Sequence, residues 1–260
     1  LKVTNGNQTS GAGADDYVYI AQKFESQDIS NSGWNYLSSS SFITLSFWVK
    51  SSVAQNFYGY VRTHDGTKYN YPFETGSLTA DTWTKITKTI AGNSNIQIDN
   101  DANTGFEVVI APFLGTNDTA SVTLNQWVAW NSGVNRTPDN TTTWYTTNDA
   151  TFEVTGLQLE VGSQATAFEH RSYGEELALC QRYYQGANTV GAGYGSADGY
   201  ARAGCVYSVV MRSTPTLTAT NTGSGSIIAA DSSATGFYIT YGSLGGSSAG
   251  IFNYVATAEL

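Results

Sequence analysis

The segment from Phe152 to Tyr184 reads FEVTGLQLEVGSQATAFEHRSYGEELALCQRYY and contains the boundary between two differently built halves of the chain. Between Phe152 and Val161 the apolar side chains occupy nearly alternate positions, which is the period of a β-strand with one buried face. Gly156 displaces this alternation by one residue, and such a displacement indicates a β-bulge. The first part of the segment is therefore predicted to be a bulged strand.

A helix is predicted to follow this strand without a proline break. Ser172 and Glu175 have the Ser-x-x-Glu spacing of a capping box, in which each side chain satisfies a free backbone donor at the start of a helix. We expect a helix of roughly twelve residues, from Tyr173 to Tyr184. Apolar side chains surround most of its circumference, so the helix is predicted to be buried between two domains. These side chains belong to Leu177, Leu179, Cys180, Tyr183 and Tyr184.

Before this boundary, apolar and polar residues alternate within short segments, as they do in β-strands, and Gly, Asn and Asp turns separate the segments. This pattern is typical of an all-β sandwich of two sheets. The predicted strands are Tyr17 to Phe24, Phe42 to Lys50, Phe57 to Arg62, Tyr69 to Phe73, Thr84 to Ile90, Gly105 to Phe113, Ser121 to Trp130 and Phe152 to Val161.

The chain after the boundary is also predicted to be rich in strands. Its Gly-, Ser- and Ala-rich stretches have the composition of flexible linkers, but we interpret them as long turns because alternating segments separate them. The sequence thus divides into residues 1–170, a linking helix at 171–185 and a smaller β domain at 186–260. The predicted strands of that domain are Gly204 to Val210, Thr214 to Thr220, Gly236 to Tyr241 and Ile251 to Ala256.

The run LQLEVGSQATAFEHRSYGEELALCQRYY closely resembles a linker motif that recurs in tail fibres and other structural proteins of tailed bacteriophages. Upstream, TLSFWVKSS (Thr44 to Ser52), TWTKITKTIAG (Thr82 to Gly92) and the region of Trp127 resemble the rest of that module. The module is similar to the jelly-roll fold of carbohydrate-binding modules. The resemblance therefore implies a jelly-roll β-sandwich in the first domain.

Two segments near the end of the chain extend the resemblance. VVMRSTPTLT (Val209 to Thr218) and YVATAEL (Tyr254 to Leu260) look like the small β domain that often follows the linker in these phage proteins. The resemblance implies a second, smaller β-sandwich, a place in the virion tail fibre outside the host cell, contact with other tail proteins, and assembly as a parallel trimer.

Composition and charge restrict the possible partners. The chain has 260 residues, a formal net charge of −9 and only 13% charged residues, without the clustered Lys and Arg that a phosphate-binding surface needs. Nucleic acid and anionic membranes are therefore not expected as partners. No apolar run approaches the roughly 18 residues that span a bilayer, so we expect a soluble protein without membrane insertion. Because the chain begins at Leu1 in a strand-like segment, we infer a fragment or processed product of a longer protein.

The two cysteines, Cys180 and Cys205, lie on either side of the domain boundary. They are predicted to be buried free thiols that pack as small apolar residues, with a disulfide as the alternative. Metal binding through them is not predicted, because His64 and His170 have no ligand spacing with either cysteine. Calcium is not predicted either, although modules of the resembled class often hold one. The aspartate that such modules usually carry in the last strand is absent from Val154 to Leu157.

Alternation along the strand Thr44 to Lys50 places Leu45, Phe47 and Val49 on one face and Trp48 on the other. In the next strand, Tyr58, Tyr60 and Arg62 share a face opposite Phe57 and Val61. Aromatic rings beside polar groups suit sugar recognition, because a flat ring covers the apolar side of a pyranose while polar neighbours bond its hydroxyls. The alternative is that these rings pack within the protein.

Four further aromatic residues lie in polar, turn-rich segments, where exposed rings are common in binding loops. The complete set of carbohydrate-binding candidates is therefore Trp34, Tyr36, Trp48, Tyr58, Tyr60, Arg62, Trp144 and Tyr145. Trp83 and Trp127 are assigned to structural packing.

The sequence carries no motif for catalysis, and we expect neither enzymatic activity nor a cofactor. Glu175 and Glu176 are adjacent on a helix, so they point about 100° apart and do not form an acid/base pair across a substrate. His170 lies between Glu169 and Arg171, where an ion-paired structural role is expected. Gly-x-Ser-x-Gly, phosphate-binding and His-Glu-x-x-His motifs are all absent from the sequence.

Together these observations predict a bacteriophage tail fibre fragment that attaches the virion to host surface polysaccharide without chemical turnover. Two alternatives remain at this stage: a structural connector of the tail without its own receptor site, and a carbohydrate-binding module of a secreted glycoside hydrolase. A homotrimer is expected because the chain after Gly186 has only five charged residues and many aromatic rings suited to a subunit interface. These rings belong to Tyr194, Tyr200, Tyr207, Phe237, Tyr238, Tyr241, Phe252 and Tyr254.

Overall fold

The computed structural model of the protein describes residues 1–8, 10–130, 136–194, 201–222, 226–242 and 249–260. The chain divides into two compact units, Leu1–Glu169 with Leu260, and His170–Glu259. Within the described residues, no helix has the length and apolar character needed to cross a membrane.

The first unit is a sandwich of two antiparallel sheets. The four-stranded sheet has the order β1-β9-β3-β6, and the five-stranded sheet has the order β2-β7-β4-β5-β8. The elements are β1 Lys2–Thr4, β2 Tyr17–Glu25, α1 Ser26–Ser30, β3 Phe42–Ser51, β4 Asn56–Thr63, β5 Tyr69–Ser77, β6 Thr84–Ala91, β7 Thr104–Leu114, β8 Val128–Ala129, α2 Thr143–Thr146 and β9 Thr151–Val161.

The core of this unit lies between the inner faces of the two sheets. Leu45, Phe47 and Val49 of β3 are fully buried, and the rings of Phe47 and Phe73 lie 6.4 Å apart across the interior. Trp48 points away from this core and is 43% exposed. The alternation predicted for β3 is therefore confirmed, as is the all-β sandwich that it supports.

The bulge predicted at Gly156 is present. Ser46 pairs with Gln158 and Trp48 with Thr155, so two residues of β9 lie opposite one residue of β3. Gly156 has a φ of 58°, a left-handed conformation that glycine adopts without a steric penalty.

The prediction of a long strand from Ser121 to Trp130 is wrong. Only Val128–Ala129 forms a strand there. Asn125 has a φ of 59°, which interrupts an extended chain, and its backbone N–H donates to the carbonyl of Pro72 at 2.8 Å. The other seven predicted strands of this unit are confirmed, with small differences at their ends.

The described residues of the second unit form one helix and two three-stranded sheets, ordered β10-β15-β12 and β11-β14-β13. Ile239, Tyr241, Phe252 and Ala256 are fully buried in its core. The strand predicted at Gly204 to Val210 starts and ends earlier, and two strands were not predicted because Gly, Ala and Ser dominate them. The elements are α3 Tyr173–Gln181, β10 Tyr184–Tyr194, β11 Ala201–Val206, β12 Thr216–Asn221, β13 Ser226–Ser233, β14 Gly236–Gly242 and β15 Ala249–Thr257.

The capping box of α3 is confirmed, but the predicted burial of the helix is wrong. The Ser172 hydroxyl accepts from the Glu175 backbone N–H, and the Glu175 carboxylate accepts from the Ser172 backbone N–H. The helix has no buried residue, and the side chain of Tyr173 is 82% exposed. Apolar residues on all sides of a helix do not form a single stripe, so neither sheet of its own unit receives a packing face from it.

The two cysteines are free thiols, and neither is buried. Cys180 is exposed on α3, so the prediction that its thiol is buried is wrong, for the same reason as the predicted burial of that helix. Cys205 is half-buried, and its Sγ lies 4.0 Å from the Tyr254 hydroxyl.

Most of the described aromatic rings of the second unit fill its own core. Tyr238 is exposed, and Tyr194 and Tyr200 lie outside the residues whose side chains are described. The remaining rings of the set that was predicted for a subunit interface are buried in the core between the two small sheets, so their assignment to that interface is wrong. The buried rings are Tyr207, Phe237, Tyr241, Phe252 and Tyr254.

Candidate functional site

The predicted carbohydrate-binding residues lie in three separate places of the first unit. Tyr58, Tyr60 and Arg62 lie on the outer face of the five-stranded sheet, which is the side turned away from the sandwich core. Trp48 lies on the outer face of the four-stranded sheet. The four aromatic residues predicted to be exposed in loops pack against the core instead. They are Trp34, Tyr36, Trp144 and Tyr145.

The two tryptophans of this loop group are structural, and their assignment to a binding site is wrong. Trp34 is buried in edge contact with Phe106, and its Nε1 donates to the Ser41 carbonyl at 3.3 Å. Trp144 is completely buried, and its Nε1 donates to the Thr151 carbonyl at 3.1 Å. Both indoles therefore have an internal hydrogen-bond partner, which allows a tryptophan to be buried.

The two loop tyrosines are anchored in a similar way. Tyr145 is buried, its ring stacks on Phe113 at 4.4 Å, and its hydroxyl donates to Asp16 Oδ2 at 2.9 Å. Tyr36 is half-buried, and its hydroxyl donates to the Ile98 carbonyl at 3.4 Å. Tyr145 is thereby removed from the candidate site, and Tyr36 keeps only part of its ring surface free.

Strand order brings residues from distant parts of the sequence together on the outer face of the five-stranded sheet. Strand β7 lies between β2 and β4, so that Glu107 pairs with Lys23 on one side and Arg62 on the other. Val109, which follows Glu107 by two residues on β7, pairs with Tyr60. Tyr58 pairs with Ala111 in the next row. These rows alternate with the inward-facing residues that form the core.

The centre of this outer face is covered. Tyr60 is only 1% exposed and forms a second small cluster with Val109, Ala111 and Leu114. Burial raises the pKa of Tyr60 to about 12, so its hydroxyl stays protonated at neutral pH. The prediction that Tyr60 belongs to an open platform is therefore wrong, whereas Tyr58 beside it is half-buried.

A fixed group of charged side chains lies next to this cluster. Glu107 Oε2 accepts from Arg62 Nε and His64 Nε2, each at 3.1 Å, and also from Arg62 Nη2. Burial alone would raise the pKa of Glu107, but the hydrogen bond from His64 and the charge of Arg62 outweigh it and lower that pKa to about 2. Glu107 is therefore an ionised, buried acceptor at neutral pH.

Trp130 completes the charged group. The Arg62 guanidinium lies 4.3 Å from the Trp130 ring centroid and 5.0 Å from that of Tyr60. The Arg136 guanidinium lies 5.7 Å from the same Trp130 ring and pairs with Asp118 at 2.9 Å. Cation–π contacts of this kind hold an arginine in one orientation. Arg62 is thus fixed by a carboxylate and two rings, and its position on the outer face agrees with the prediction.

Two exposed tyrosines lie on β2 on the same outer face, nearer the Leu114 end of β7 than the Glu107 end. Tyr17 and Tyr19 are 58% and 40% exposed, and their rings stack with centroids 5.4 Å apart. They face outward because the intervening Val18 packs against the core. Exposed rings on the same sheet face as rigid charged groups provide both contacts that a carbohydrate chain needs: an apolar surface for a pyranose and fixed partners for hydroxyls. We call this area the β2–β4 face: Tyr17, Tyr19, Tyr58, Arg62, His64, Glu107 and Trp130.

Sequence reasoning missed Tyr17, Tyr19, His64, Glu107 and Trp130. Tyr17 and Tyr19 carry a signal, since they alternate with Val18 and Ile20 in YVYI. The signal of Glu107 is a single carboxylate within the apolar run FEVVIAPF. Neither pattern shows which strands lie next to β2 and β7, because that depends on the order of the strands in the sheet.

The outer face of the four-stranded sheet presents a different arrangement. Lys50 forms an ion pair with Glu153 at 3.0 Å, and its Nζ lies 5.1 Å from the centroid of the exposed Trp83 ring. The structural role predicted for Trp83 therefore takes the form of a cation–π contact. Trp48, on the same face, is separated by the whole sandwich from the β2–β4 face.

Trp127 is assigned to packing by both sequence and structure. Its Nε1 donates to the Ala91 carbonyl at 2.8 Å, and its ring lies 5.4 Å from that of Tyr71. Among the described residues, no group of three or more His, Cys, Asp or Glu side chains is placed to hold a metal ion.

Comparison with known proteins gives little further information. No protein-family model and no curated protein sequence matches the chain. Wild-type discoidin II from Dictyostelium discoideum is 11% identical, with a TM-score of 0.24 and 94% of each chain covered. The D431N mutant of VP2 from infectious bursal disease virus is 8% identical, with a TM-score of 0.23, and covers 98% of this chain and 38% of its own. Likenesses at such TM-scores carry no argument about function.

Proposed function

We propose that this chain binds carbohydrate, without turning it over, on the β2–β4 face of its first unit. The observation that carries the proposal is the placement of the stacked, exposed Tyr17 and Tyr19 on the same sheet face as the Arg62–Glu107–His64 group. Charged partners held in one geometry lose little conformational entropy when they bond sugar hydroxyls. The half-buried Tyr58, which pairs with Ala111 on the other side of β7 from β2, adds further aromatic surface to the face.

The state of Glu107 supports the proposal of binding without turnover at this face. A glycosidase needs a carboxylic acid that donates a proton to the leaving group, and such an acid has a raised pKa. Glu107 has a lowered pKa, and three hydrogen bonds from Arg62 and His64 occupy it. It is suited to orienting Arg62 and His64 toward a ligand, and not to proton transfer.

The biological setting that we propose is the tail fibre of a bacteriophage, outside the host cell. The ligand would be host surface polysaccharide, and the remaining partners would be other virion tail proteins and further copies of this chain. The resemblance of the segment from Leu157 to Tyr184 to a tail fibre linker motif supports this setting. Weak individual sugar contacts suit such a role, because several chains in one fibre multiply them.

Replacing Tyr19 with alanine is expected to weaken binding to a surface polysaccharide preparation from susceptible cells by about five- to thirtyfold. Loss of a central aromatic contact typically costs about 1–2 kcal/mol in binding free energy. Biolayer interferometry with the immobilised polysaccharide measures the change. Trp48→Ala is the matched control, because Trp48 is exposed to a similar extent on the opposite sheet. Loss of binding in Trp48→Ala, with unchanged binding in Tyr19→Ala, would move the site to the four-stranded sheet.

A structural connector without its own receptor site is the second candidate. It is favoured by the burial of Tyr60, Val109 and Ala111, which shows that part of the outer face is packed instead of open. A glycan array that includes host polysaccharides separates the two functions. Binding to none of them, by a chain that is folded, would favour the connector.

We also propose that the functional unit is a homotrimer whose contacts include α3. Tyr173, Leu177 and Cys180 are exposed at spacings of four and three residues, which is the spacing of a coiled-coil seam. The chain after Gly186 adds only five charged residues, so little charge repulsion opposes association. The buried rings of the second unit no longer support this proposal, and the exposed helix replaces them.

Light scattering at micromolar concentration is expected to give the mass of three chains, and Leu177→Glu is expected to reduce it to one. A charge within an apolar helix seam is desolvated without a partner and opposes association. Val210→Glu is the control, because it adds the same charge at an exposed apolar position outside the helix. A single-chain mass for the unchanged protein would contradict the proposal.

A further inference from the structure

The second unit has a cleft on the outer face of its β11-β14-β13 sheet, with a volume of about 420 Å³. This volume falls within the range of small-molecule sites in proteins. The residues that line it come from all three strands and the turn between β13 and β14. They include Gly204, Val206, Asp231, Ser232, Thr235 and Tyr238.

Tyr238 forms the apolar floor of the cleft. It points outward from the central strand β14, is 45% exposed, and pairs with Gly204 on one side and Asp231 on the other. Its hydroxyl donates to Asp231 Oδ2 at 3.2 Å, and the Arg202 guanidinium lies 6.0 Å from its ring centroid. The ring is therefore held in one orientation by its neighbours, while much of its surface stays accessible.

Gly204 keeps the ring open. Its backbone is outside the left-handed region, and a Cβ added there would meet only the Phe237 carbonyl oxygen, at 3.5 Å. Neither backbone conformation nor crowding therefore requires glycine at this position. Any larger outward-facing residue would lie beside Tyr238 as its cross-strand neighbour and cover the ring. The absence of a side chain creates the cleft.

We propose that this cleft is a second carbohydrate site, which takes a single pyranose ring. The apolar side of the sugar stacks on Tyr238, and Asp231 accepts hydrogen bonds from its hydroxyls. Aromatic stacking combined with a carboxylate that accepts from adjacent hydroxyls is chemistry that distinguishes a sugar from a purely apolar ligand. The site lies in a different unit from the β2–β4 face and does not depend on it.

Saturation-transfer NMR on the full chain tests the second site with the methyl glycosides of glucose, galactose, mannose and N-acetylglucosamine as probes. At least one glycoside is expected to receive saturation from the protein. Gly204→Val, which places a side chain beside the Tyr238 ring where an added Cβ meets the Phe237 carbonyl only at 3.5 Å, is expected to reduce that signal at least fivefold. Ile228→Ala is the control, because Ile228 is exposed on the same sheet but does not line the cleft.

Asp231→Asn provides a second test that does not alter the strand backbone, and it is also expected to reduce the signal at least threefold. Saturation-transfer measurements on Tyr19→Ala separate the cleft from the β2–β4 face. A signal that persists in Tyr19→Ala and disappears in Gly204→Val supports the cleft even if the first unit binds no sugar. Absence of transfer to every glycoside, or transfer that is unchanged in Gly204→Val and Asp231→Asn, would overturn the proposal and leave the β2–β4 face untouched.

Discussion

Replacing Trp144 with alanine is expected to destabilise the first unit by about 3–5 kcal/mol, the usual cost of removing a large buried aromatic side chain. Trp144 is completely buried, and its ring packs edge-on against Phe152 with centroids 6.3 Å apart. The substitution leaves a cavity and also leaves the Thr151 carbonyl without the indole N–H that bonds it. Urea denaturation followed by circular dichroism measures the change in free energy of unfolding.

Trp83→Ala is the matched control for this experiment, because Trp83 is an exposed tryptophan of the same unit. Its loss removes a cation–π contact with Lys50 at the surface, which contributes about 0.5–1 kcal/mol. A Trp144→Ala protein that keeps its stability and loses polysaccharide binding would return Trp144 to the binding site. The expected result is a general loss of folded protein.

Replacing Glu107 with alanine is expected to cost about 3 kcal/mol or more in free energy of unfolding. The change leaves the Arg62 guanidinium, whose side chain is mostly buried, without its carboxylate. It also removes the hydrogen bond between Glu107 and His64. Glu153→Ala is the control, because Glu153 forms a more exposed ion pair with Lys50, and such pairs contribute at most about 1 kcal/mol. Equal effects of the two substitutions would show that the Glu107 group is not a structural anchor.

The contribution of Glu107 to the free energy of unfolding is expected to decrease as the pH falls. Its pKa in the folded chain, about 2, is below the ordinary value of 4.5, so the folded state favours the ionised carboxylate. The contribution is therefore fully present above about pH 4.5 and is lost as the pH falls toward 2. The stability difference between the unchanged protein and Glu107→Ala should shrink over this interval. A difference that is constant from pH 6 to about 2.5 would contradict the assignment of an ionised Glu107.

The proposed binding surface could be predicted only in part. Sequence alternation placed Tyr58, Tyr60 and Arg62 on one face, and the structure agrees. Alternation does not reveal which strands are neighbours, so it could not add Tyr19 or Glu107 to the same face. It also could not show that Tyr60 is covered, because the cluster around it joins β4 to β7, which lies more than forty residues later in the sequence.

The aromatic loop residues show the same limit. A tryptophan in a polar turn can be exposed or can insert its ring into the core, and its local sequence is similar in both cases. The decision depends on whether a buried carbonyl is available for the indole N–H, as the Thr151 carbonyl is for Trp144. In both cases, Trp34 with Ser41 and Trp144 with Thr151, the carbonyl lies seven residues further along the chain, so the bond depends on how the intervening turn folds back against the core.

The sequence by itself determined the features that depend on short-range periodicity and local hydrogen bonds. These are the two-sided strand at Phe42–Ser51, the bulge at Gly156 and the capping box of Ser172 and Glu175. Each involves residues within a few positions of one another, whose geometry the backbone fixes. Only the tertiary structure decided which apolar and aromatic surfaces are covered. Burial is a property of the neighbours that folding brings together, so α3 with its apolar circumference is exposed while Trp144 in its polar turn is buried.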